Sequence, residues 1–493
     1  MLFNSLIFMF AFLPVTLAGF AGLFHKFGAR AALLWLTAAS LFFYGWWNPA
    51  YLLLLGSSTI FNFWVGKKIS ASGPETPSAK RWLIPGIVIN LAVLAFFKYA
   101  DFFIGTVNSV AATEFPLLQI VLPLAISFVT FQKIAYLVDC YRGLAREDNF
   151  LNFAMFVTFF PQLIAGPIVH YREMMPQFKA LTLPALKAAH MASGLTLFAM
   201  GLFKKCVLAD TIAIHANSVY GAAESGQALA LSDAWAGAFA YSFQIYFDFS
   251  GYSDMAIGLA LMFGIYLPIN FLSPYRATGF IEFWRRWHIT LSRFLREYLY
   301  IPLGGNRCSK LRQAFNVTLT MLLGGLWHGA SWTFVLWGGL HGLFIAANHG
   351  LRTALGSRAL PALLCIPVTF ALVTVLWVLF RAETLAGAQA LLHAMAGQNA
   401  DTPASLVTGW KNMLLFAVVA GIVFLLPNSM RYMNLQQRDT QVKDIPAGSL
   451  LERGMAVSYA PNLFNLLLSA GFLFCAWLFM QSNLGKTFIY FDF

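Results

Sequence analysis

Two histidines lie in unusually apolar sequence. His328 stands in Gly-Leu-Trp-His-Gly-Ala-Ser-Trp (325–332), within a stretch of 39 residues, 313–351, that contains no Asp, Glu, Lys or Arg. His288 stands forty positions earlier, in Phe-Trp-Arg-Arg-Trp-His-Ile-Thr (283–290). A titratable imidazole in a segment of membrane depth is costly to place, so it indicates a functional site. Near neutral pH an imidazole is suited to general base chemistry.

A buried histidine also has a more ordinary interpretation. A lone buried histidine is more often a hydrogen-bonded packing residue than a catalyst, so the residues alone leave both roles open for His328. On one continuous helix His341 would lie about 220° from His328 and would face elsewhere. We therefore interpret His341 and His349 as structural.

The composition indicates an integral membrane protein. Of the 493 residues, 59% are hydrophobic and 11% are charged, whereas average soluble domains carry roughly 25% charged residues. Long apolar runs without regular alternation favour an all-α bundle. The net charge of +12 comes from short basic loops and not from a basic domain, which argues against nucleic acid as a partner. The first charge is Lys26, so we predict no cleaved signal peptide.

Fourteen apolar segments are candidates for membrane helices. Several are shorter than the roughly 20 residues of a full crossing, so we expect about 10–13 crossings, with some segments re-entrant or interfacial. Basic early loops place the N-terminus outside. We interpret the most polar connections, 70–79 and 428–460, as extramembrane loops and not as domains, and no repeat of fixed period appears, so we predict one membrane domain over 1–493. The segments are 3–23, 31–48, 51–66, 82–98, 116–138, 150–166, 190–207, 227–247, 252–270, 313–327, 329–349, 361–380, 411–427 and 462–481.

The five cysteines are widely scattered and include no Cys-x-x-Cys pair. This spacing predicts neither a disulfide framework nor a metal site. Cys308, between basic residues, is either a site of acylation beside the membrane or an incidental thiol.

The segment 271–312 is strongly basic, with eight basic residues against two acidic ones. On one helix, 283–300 would place its arginines on one face and His288 on the apolar face, between Leu295 and Leu299. This pattern is typical of a helix in the membrane interface. The arginines, among them Arg285 and Arg286, could contact anionic lipid heads or an anionic donor such as coenzyme A, and the sequence does not decide between them.

The charge-free stretch 313–351 is too long for one crossing. As a single helix it would run about 58 Å, nearly twice the hydrocarbon thickness. We predict a break at Gly324-Gly325 or at Gly329. His328 would then lie beside unwound backbone, which membranes tolerate only around a buried cavity.

Two aspartates, Asp248 and Asp254, stand between apolar runs in Tyr-Phe-Asp-Phe-Ser-Gly-Tyr-Ser-Asp (246–254). Isolated carboxylates at such depth need partners. We expect Arg276 or the arginines of 285–296 to pair with them, and a proton relay is the alternative. The segment 160–167, with two prolines, predicts a broken helix.

At these residues the chain resembles a known family. Phe-Trp-Arg-Arg-Trp-His-Ile-Thr-Leu-Ser (283–292), Tyr-Ile-Pro-Leu-Gly-Gly-Asn-Arg (300–307) and the segment 325–332 look like the signature of membrane-bound O-acyltransferases, above all the bacterial branch that serves O-acetylation of polysaccharides such as alginate. The segments 161–167 and 246–254, which include Asp248 and Tyr252, and the tail 488–493 also match that branch.

The resemblance implies an all-α bundle of about eleven or more transmembrane helices, with re-entrant or interfacial helices, around a central funnel. His328 would be the catalytic histidine and His288 the second polar position of the active site. The donor would be cytoplasmic acetyl-CoA, with no tightly bound cofactor, although a related D-alanyl transferase uses a carrier protein. The acetyl group would cross the bacterial inner membrane to an extracytoplasmic partner protein and then to an exopolysaccharide.

On this mechanism His328 is the general base on the acceptor hydroxyl, while His288 hydrogen-bonds the thioester carbonyl or orients the acceptor. Trp287, Trp327 and Trp332 would exclude water, and Arg285 and Arg286 would bind donor phosphates. Asp248 and Tyr252 are further candidates for substrate contact.

Two other classes remain open. A proton-coupled transporter or flippase of the donor or glycan would use the buried aspartates and histidines as a relay, without acyl transfer by this chain. A scaffold that only recruits the true acetylase would tolerate alanine at both histidines.

Overall fold

The computed structural model describes residues 1–181, 188–356, 360–399, 401–439, 442, 445, 459–482 and 487–489. Throughout these residues the regular structure is helical and includes no strand, which confirms the all-α prediction. Within the same residues four helices are long and apolar enough to cross a membrane: Phe8–Phe27, Pro77–Ala111, Ala362–Arg381 and Leu463–Gln481. Parts of the predicted loop 428–460 and residues 490–493 of the tail lie outside the described residues.

The described chain divides into two compact units, and the prediction of a single domain stays a prediction. The first unit comprises Met1–Phe198 and Met255–Pro268. A reciprocal hydrogen bond between the buried Asn62 and Asn90 side chains joins two of its helices. Its helices are Phe8–Phe27, Ala29–Gly45, Tyr51–Ala71, Pro77–Ala111, Ile126–Tyr141, Phe150–Thr158, Phe160–Leu163 and Tyr171–Lys179, with parts of Ala188–Phe203 and Leu231–Met262.

The second unit comprises Ala199–Asp254 and Ile269–Phe493 and contains both sequence-predicted histidines. Besides the remainders of Ala188–Phe203 and Leu231–Met262, its helical segments are Lys204–Ala209, Asp210–Glu224, Pro274–Arg276, Phe280–Arg286, Ile289–Leu295, Arg296–Tyr300, Lys310–His328, Trp332–Leu355, Ala362–Arg381, Leu385–Met395, Trp410–Leu425, Ser429–Tyr432 and Leu463–Ser482.

Hydrophobicity alone misplaced some boundaries. The predicted segment 116–138 is helical only from Ile126, because residues 112–125 form an irregular connection in which Leu118 and Ile120 donate their N–H groups to the Asp101 carboxylate. The predicted segments 227–247 and 252–270 were wrong as two helices. They form one helix, Leu231–Met262, since Asp248 and Asp254 pair with lysines of another helical segment, Lys204–Ala209, and do not end the helix. The predicted break near Pro161 is confirmed, between Thr158 and Phe160.

The helices Lys310–His328 and Trp332–Leu355 pack closely along a seam of glycines. A Cβ atom on Gly325 would lie 2.3 Å from the Phe334 carbonyl oxygen, and one on Gly338 would lie 2.3 Å from the Met321 carbonyl oxygen. Both obstacles are backbone atoms, which cannot rotate away as a side chain can. The seam therefore fixes the position of the helix that ends at His328.

We expect Gly338→Ala to lower the free energy of unfolding by about 1–3 kcal/mol, the usual cost of an overpacked contact. The matched control is Gly339→Ala on the same helix, because a Cβ there meets no atom within 4 Å. The measurement is thermal unfolding of both variants in the same detergent. Equal midpoints for the two variants would contradict the close packing of this seam.

Candidate active site

His328 is the last residue of the helix Lys310–His328. The chain then leaves the helix through residues 329–331, and Ser331 caps the next helix by accepting a hydrogen bond from the Thr333 N–H at 3.3 Å. The break predicted at Gly329 is therefore confirmed, whereas Gly324 and Gly325 lie within the helix. His328 is only 4% exposed, so an imidazole is buried directly beside non-helical backbone.

His288 lies between two short helices, Phe280–Arg286 and Ile289–Leu295. Its backbone has φ +42° and ψ +53°, the left-handed conformation that costs a non-glycine residue roughly 1–2 kcal/mol. The prediction of one amphipathic helix over 283–300 was therefore wrong. The helix is interrupted because Asn270 takes up the N–H groups of Ile289 and Thr290.

The structure brings the two histidines together, with ring centroids 6.4 Å apart. Trp327 lies 4.9 Å from the His328 ring and 6.4 Å from the His288 ring, so it borders both. Phe249 contacts His288 edge-on at 4.8 Å. His288 lies outside the four candidate membrane spans, and its complete burial lowers its pKa to about 3. The imidazole is consequently neutral at physiological pH.

The arginines of 283–300 do not share one solvent face. Arg286 is buried; its guanidinium is 2.8 Å from the Glu282 carboxylate and donates to the Leu272 carbonyl oxygen at 3.2 Å. Arg293 is also buried, whereas Arg285 is exposed. The predicted orientation toward water or anions was thus wrong for Arg286 and Arg293. Arg286 instead links the segment around Leu272 to the short helix Phe280–Arg286 that precedes His288.

The three predicted tryptophans occupy different surroundings. Trp327 borders both histidines, as described. Trp287 is buried against Phe271, at 5.0 Å, and Trp377, at 4.9 Å. Trp332 is 49% exposed at the start of its helix. Exclusion of water by Trp287 and Trp332 stays a prediction.

The buried aspartates pair with two adjacent lysines. Lys205 lies 2.6 Å from Asp248 and 2.9 Å from Asp210, and Lys204 lies 2.6 Å from Asp254. The expected pairing with Arg276 or with the arginines of 285–296 was wrong. Arg276 instead donates to the backbone carbonyls of Val423 and Leu426, because the turn Pro274–Arg276 places it beside the end of another helix.

Residues 487–489 dock onto the Lys205–Asp248 ion pair. The Thr487 carbonyl accepts a hydrogen bond from Lys205 Nζ at 2.9 Å, and the Ile489 N–H donates to Asp248 Oδ2 at 3.2 Å. The Phe488 ring lies 4.9 Å from Lys205 Nζ and 5.0 Å from the Tyr252 ring. Asp248 and Tyr252 thus contact the chain's own C-terminal segment, and their contact with substrate stays a prediction.

A polar cavity of about 570 Å³ lies one aromatic layer from His328. Its wall includes Phe334 and Phe380, and the Phe380 ring contacts His328 at 5.2 Å. Tyr241 Oη and Gln244 Oε1, also from its lining, are buried without a hydrogen-bond partner among the described residues. The remaining lining includes Lys205, Asp210, Asn217, Ser331, Thr333, Arg381, Glu383, Thr487 and Ile489. Buried polar groups of this kind are suited to a hydrogen-bonding ligand.

Sequence reasoning missed several residues around the histidines. Trp337 contacts both His328, at 5.3 Å, and His341, at 4.7 Å. The prediction that His341 faces elsewhere assumed a continuous helix, and the break after His328 removes that assumption. Asn270, which accepts a hydrogen bond from His288 Nδ1, was also missed; its signal was a lone amide in the apolar run Leu-Pro-Ile-Asn-Phe (267–271). Among the described residues no cluster of His, Cys, Asp and Glu could hold a metal ion.

Known proteins resemble this chain over most of its length. Residues 141–360 match the MBOAT, membrane-bound O-acyltransferase family. The chain is 46% identical over 430 residues to a peptidoglycan O-acetyltransferase of Helicobacter pylori, an alignment that covers 81% of this chain and 80% of that protein. It is also 46% identical over 400 residues to a probable alginate O-acetylase AlgI of Pseudomonas aeruginosa, covering 80% and 75% of the two chains.

A more distant relative is a teichoic acid D-alanyltransferase of Streptococcus thermophilus, 28% identical over 233 residues, which are 46% of this chain and 56% of that protein. The chain belongs to the membrane-bound O-acyltransferase family and is an acyltransferase.

Proposed function

We propose that this protein transfers an acetyl group from cytoplasmic acetyl-CoA, across the bacterial inner membrane, for the O-acetylation of an exopolysaccharide such as alginate. The names of the two relatives at 46% identity support the acetyl group and a glycan-type acceptor. An extracytoplasmic partner protein completes the transfer. More helices than the four apolar ones cross the membrane, about eleven in all around a central funnel, since helices of mixed polarity can span when they pack against others.

The observation that carries the proposal is the pair of buried imidazoles. Their ring centroids lie 6.4 Å apart, one of them on the last turn of a helix whose position a glycine seam fixes. Two imidazoles at this separation can both contact one reacting centre, in which the hydroxyl oxygen and the thioester carbon lie about 3–3.5 Å apart. Both side chains are buried, with exposed fractions of 0% for His288 and 4% for His328.

His328 acts as the general base. It takes the proton of the acceptor hydroxyl while the oxygen attacks the thioester carbonyl, so that a carbon–oxygen bond forms and the carbon–sulfur bond breaks. The imidazolium then returns the proton to the thiolate that leaves. His288 either hydrogen-bonds the carbonyl oxygen or orients the acceptor. Trp327 and Phe380, both in ring contact with His328, exclude water that would otherwise hydrolyse the thioester.

The polar cavity beside Phe380 receives the acceptor. A volume of about 570 Å³, with polar atoms of Tyr241 and Gln244 that have no partner within the described part of the chain, is suited to a hydroxylated ligand. On the donor side, exposed basic residues offer charge to the phosphates of acetyl-CoA or to anionic lipid heads. They are Arg285, Arg296, Arg307, Lys310 and Arg312.

A proton-coupled transporter is the alternative function, and it depends on Asp248 and Asp254 as relay groups. Both carboxylates lie 2.6 Å from a lysine Nζ, an arrangement that favours a structural ion pair over a group that changes its protonation state in each cycle. This geometry favours acyl transfer.

The test is purified protein in nanodiscs with acetyl-labelled acetyl-CoA and a candidate extracytoplasmic partner. We expect loss of the thioester and appearance of label on the partner or glycan. With the same protein reconstituted in sealed vesicles, labelled acetyl-CoA that accumulates intact inside them would instead identify a transporter. Absence of both in folded protein would contradict acetyl-CoA as the donor, and an acyl carrier protein would be the next donor to supply.

A further inference from the structure

Asn270 makes a set of hydrogen bonds around the left-handed turn at His288. Its backbone carbonyl accepts from the Ile289 N–H at 3.0 Å. Its side-chain Oδ1 accepts from the Thr290 N–H at 3.3 Å and from Thr290 Oγ1 at 2.9 Å. At the other end of the carboxamide, Nδ2 donates to Ser253 Oγ at 3.3 Å. Asn270 is itself 1% exposed, so water does not compete for these bonds.

These contacts determine which way the carboxamide points. The Thr290 N–H can only donate, so the Asn270 atom that faces it is the oxygen and not the nitrogen. The same oxygen lies 3.1 Å from His288 Nδ1. Because an amide oxygen only accepts, His288 Nδ1 carries the hydrogen of this bond.

A neutral imidazole has one donor nitrogen and one acceptor nitrogen. With the hydrogen on Nδ1, the lone pair is on Nε2. The Phe249 ring packs edge-on against the imidazole at 4.8 Å, and the backbone bond from Ile289 to Asn270 holds the turn in its left-handed conformation. Asn270 therefore fixes the tautomer, and Asn270 and Phe249 together fix the orientation of the ring.

We infer that Asn270 is a positioning residue that holds His288 in the tautomer with a lone pair on Nε2, so that His288 accepts a hydrogen bond from a hydroxyl of the acceptor other than the one that His328 deprotonates. The inference rests on the proposed function and decides between the two roles left open for His288. A neutral imidazole of this tautomer does not donate from Nε2 to the thioester carbonyl. The second histidine therefore orients the acceptor, and the oxyanion is stabilised by another group.

The test compares Asn270→Ala with Asn270→Asp. In the alanine variant no oxygen holds the hydrogen on Nδ1, so both tautomers can form. We expect kcat to fall by at least about 10²-fold, because the wrong histidine tautomer in a serine protease triad lowers kcat by about 10⁴-fold. The aspartate variant still accepts from Nδ1 and keeps kcat within about 10-fold at its optimum, since the acceptor oxygen is retained. The negative charge of the new aspartate favours the protonated form of His288 and so raises the pKa of His288. The acid limb of the pH–rate profile therefore moves to higher pH.

The matched control is Ser253→Ala, which removes the contact to Nδ2 and leaves every contact to Oδ1 in place. We expect it to keep near wild-type kcat and an unshifted acid limb. A loss in Ser253→Ala as large as that in Asn270→Ala would overturn the inference. Equal losses in the alanine and aspartate variants, with no shift of the acid limb, would also overturn it, because a purely structural role predicts that result.

A second measurement does not depend on turnover. In protein with ¹⁵N-labelled histidine in nanodiscs, the resonances absent from His288→Ala identify His288. We expect a pyridine-type Nε2 and a pyrrole-type Nδ1 in the wild type, and the reverse assignment would overturn the inference even where Asn270→Ala fails to fold. Wild-type protein with the expected tautomer but no acetyl transfer would instead count against the proposed function.

Discussion

Replacement of His328 by alanine is expected to lower the rate of acetyl transfer by about 10²–10⁴-fold, the usual contribution of a positioned general base. The imidazole ends its helix and packs against Trp327, Trp337 and Phe380, so its loss removes the base and leaves the surrounding rings in place. The measurement is thioester consumption by purified variant and wild type, with the acetyl content of the secreted glycan as a cellular readout.

The matched control for this substitution is His393→Ala. His393 is an exposed histidine in the last turn of the helix Leu385–Met395 of the same unit, so its loss should leave the rate unchanged. Both variants should elute from size exclusion as the wild type does. Normal acetylation in His328→Ala would eliminate His328 as the base and would favour the scaffold or transporter classes.

The second large effect concerns stability. We expect Lys205→Met to lower the free energy of unfolding by about 3–5 kcal/mol, the cost of leaving a buried charge without its partner. Lys205 is buried, and its ammonium group contacts the Asp248 and Asp210 carboxylates as well as the Thr487 carbonyl. Removal of the cation leaves two carboxylates in a poorly solvated place. The measurement is the unfolding midpoint in detergent at neutral pH.

Lys411→Met is the control, because Lys411 is an exposed lysine at the start of the helix Trp410–Leu425. We expect the double variant Lys205→Met, Asp248→Asn to recover part of the lost free energy of unfolding, since it carries one buried carboxylate fewer. Equal midpoints for Lys205→Met and Lys411→Met would show that the ion pairs contribute little. In that case Asp248 would regain its place as a candidate relay group.

Patterns within one segment could predict much of the fold. The length of the charge-free stretch 313–351 predicted a break beside His328, and the break lies at residues 329–331. The helix over 283–300 could not be excluded, because its amphipathic pattern is a property of the segment alone. The bonds that interrupt it come from Asn270, eighteen positions before His288. The periodicity of a segment holds no information on a residue this far away in the sequence that accepts hydrogen bonds from its backbone N–H groups.

In the site, too, features that depend on one segment could be predicted, whereas those that depend on distant partners could not. The two histidines were predicted because each is a costly residue in apolar sequence, a signal that needs no knowledge of neighbours. The partners of Asp248 and Asp254 were predicted incorrectly, since charge alone did not distinguish among several cations. The pair Lys204-Lys205, which lies in a predicted membrane segment, was the better candidate. A lysine buried at that depth needs a carboxylate as much as a carboxylate needs a lysine.

The glycine seam between the helices Lys310–His328 and Trp332–Leu355 has a practical consequence for protein engineering. Mutational libraries that aim to change which acceptor is acetylated should leave Gly325 and Gly338 unchanged, since any side chain there meets backbone. Diversity belongs at Phe334 and Phe380, whose rings line the cavity. The three-residue link 329–331 should keep its length, because an insertion would change the register between the two glycines. At these two positions the spacing of the helices, and not the chemistry of the reaction, thus determines which substitutions the enzyme tolerates.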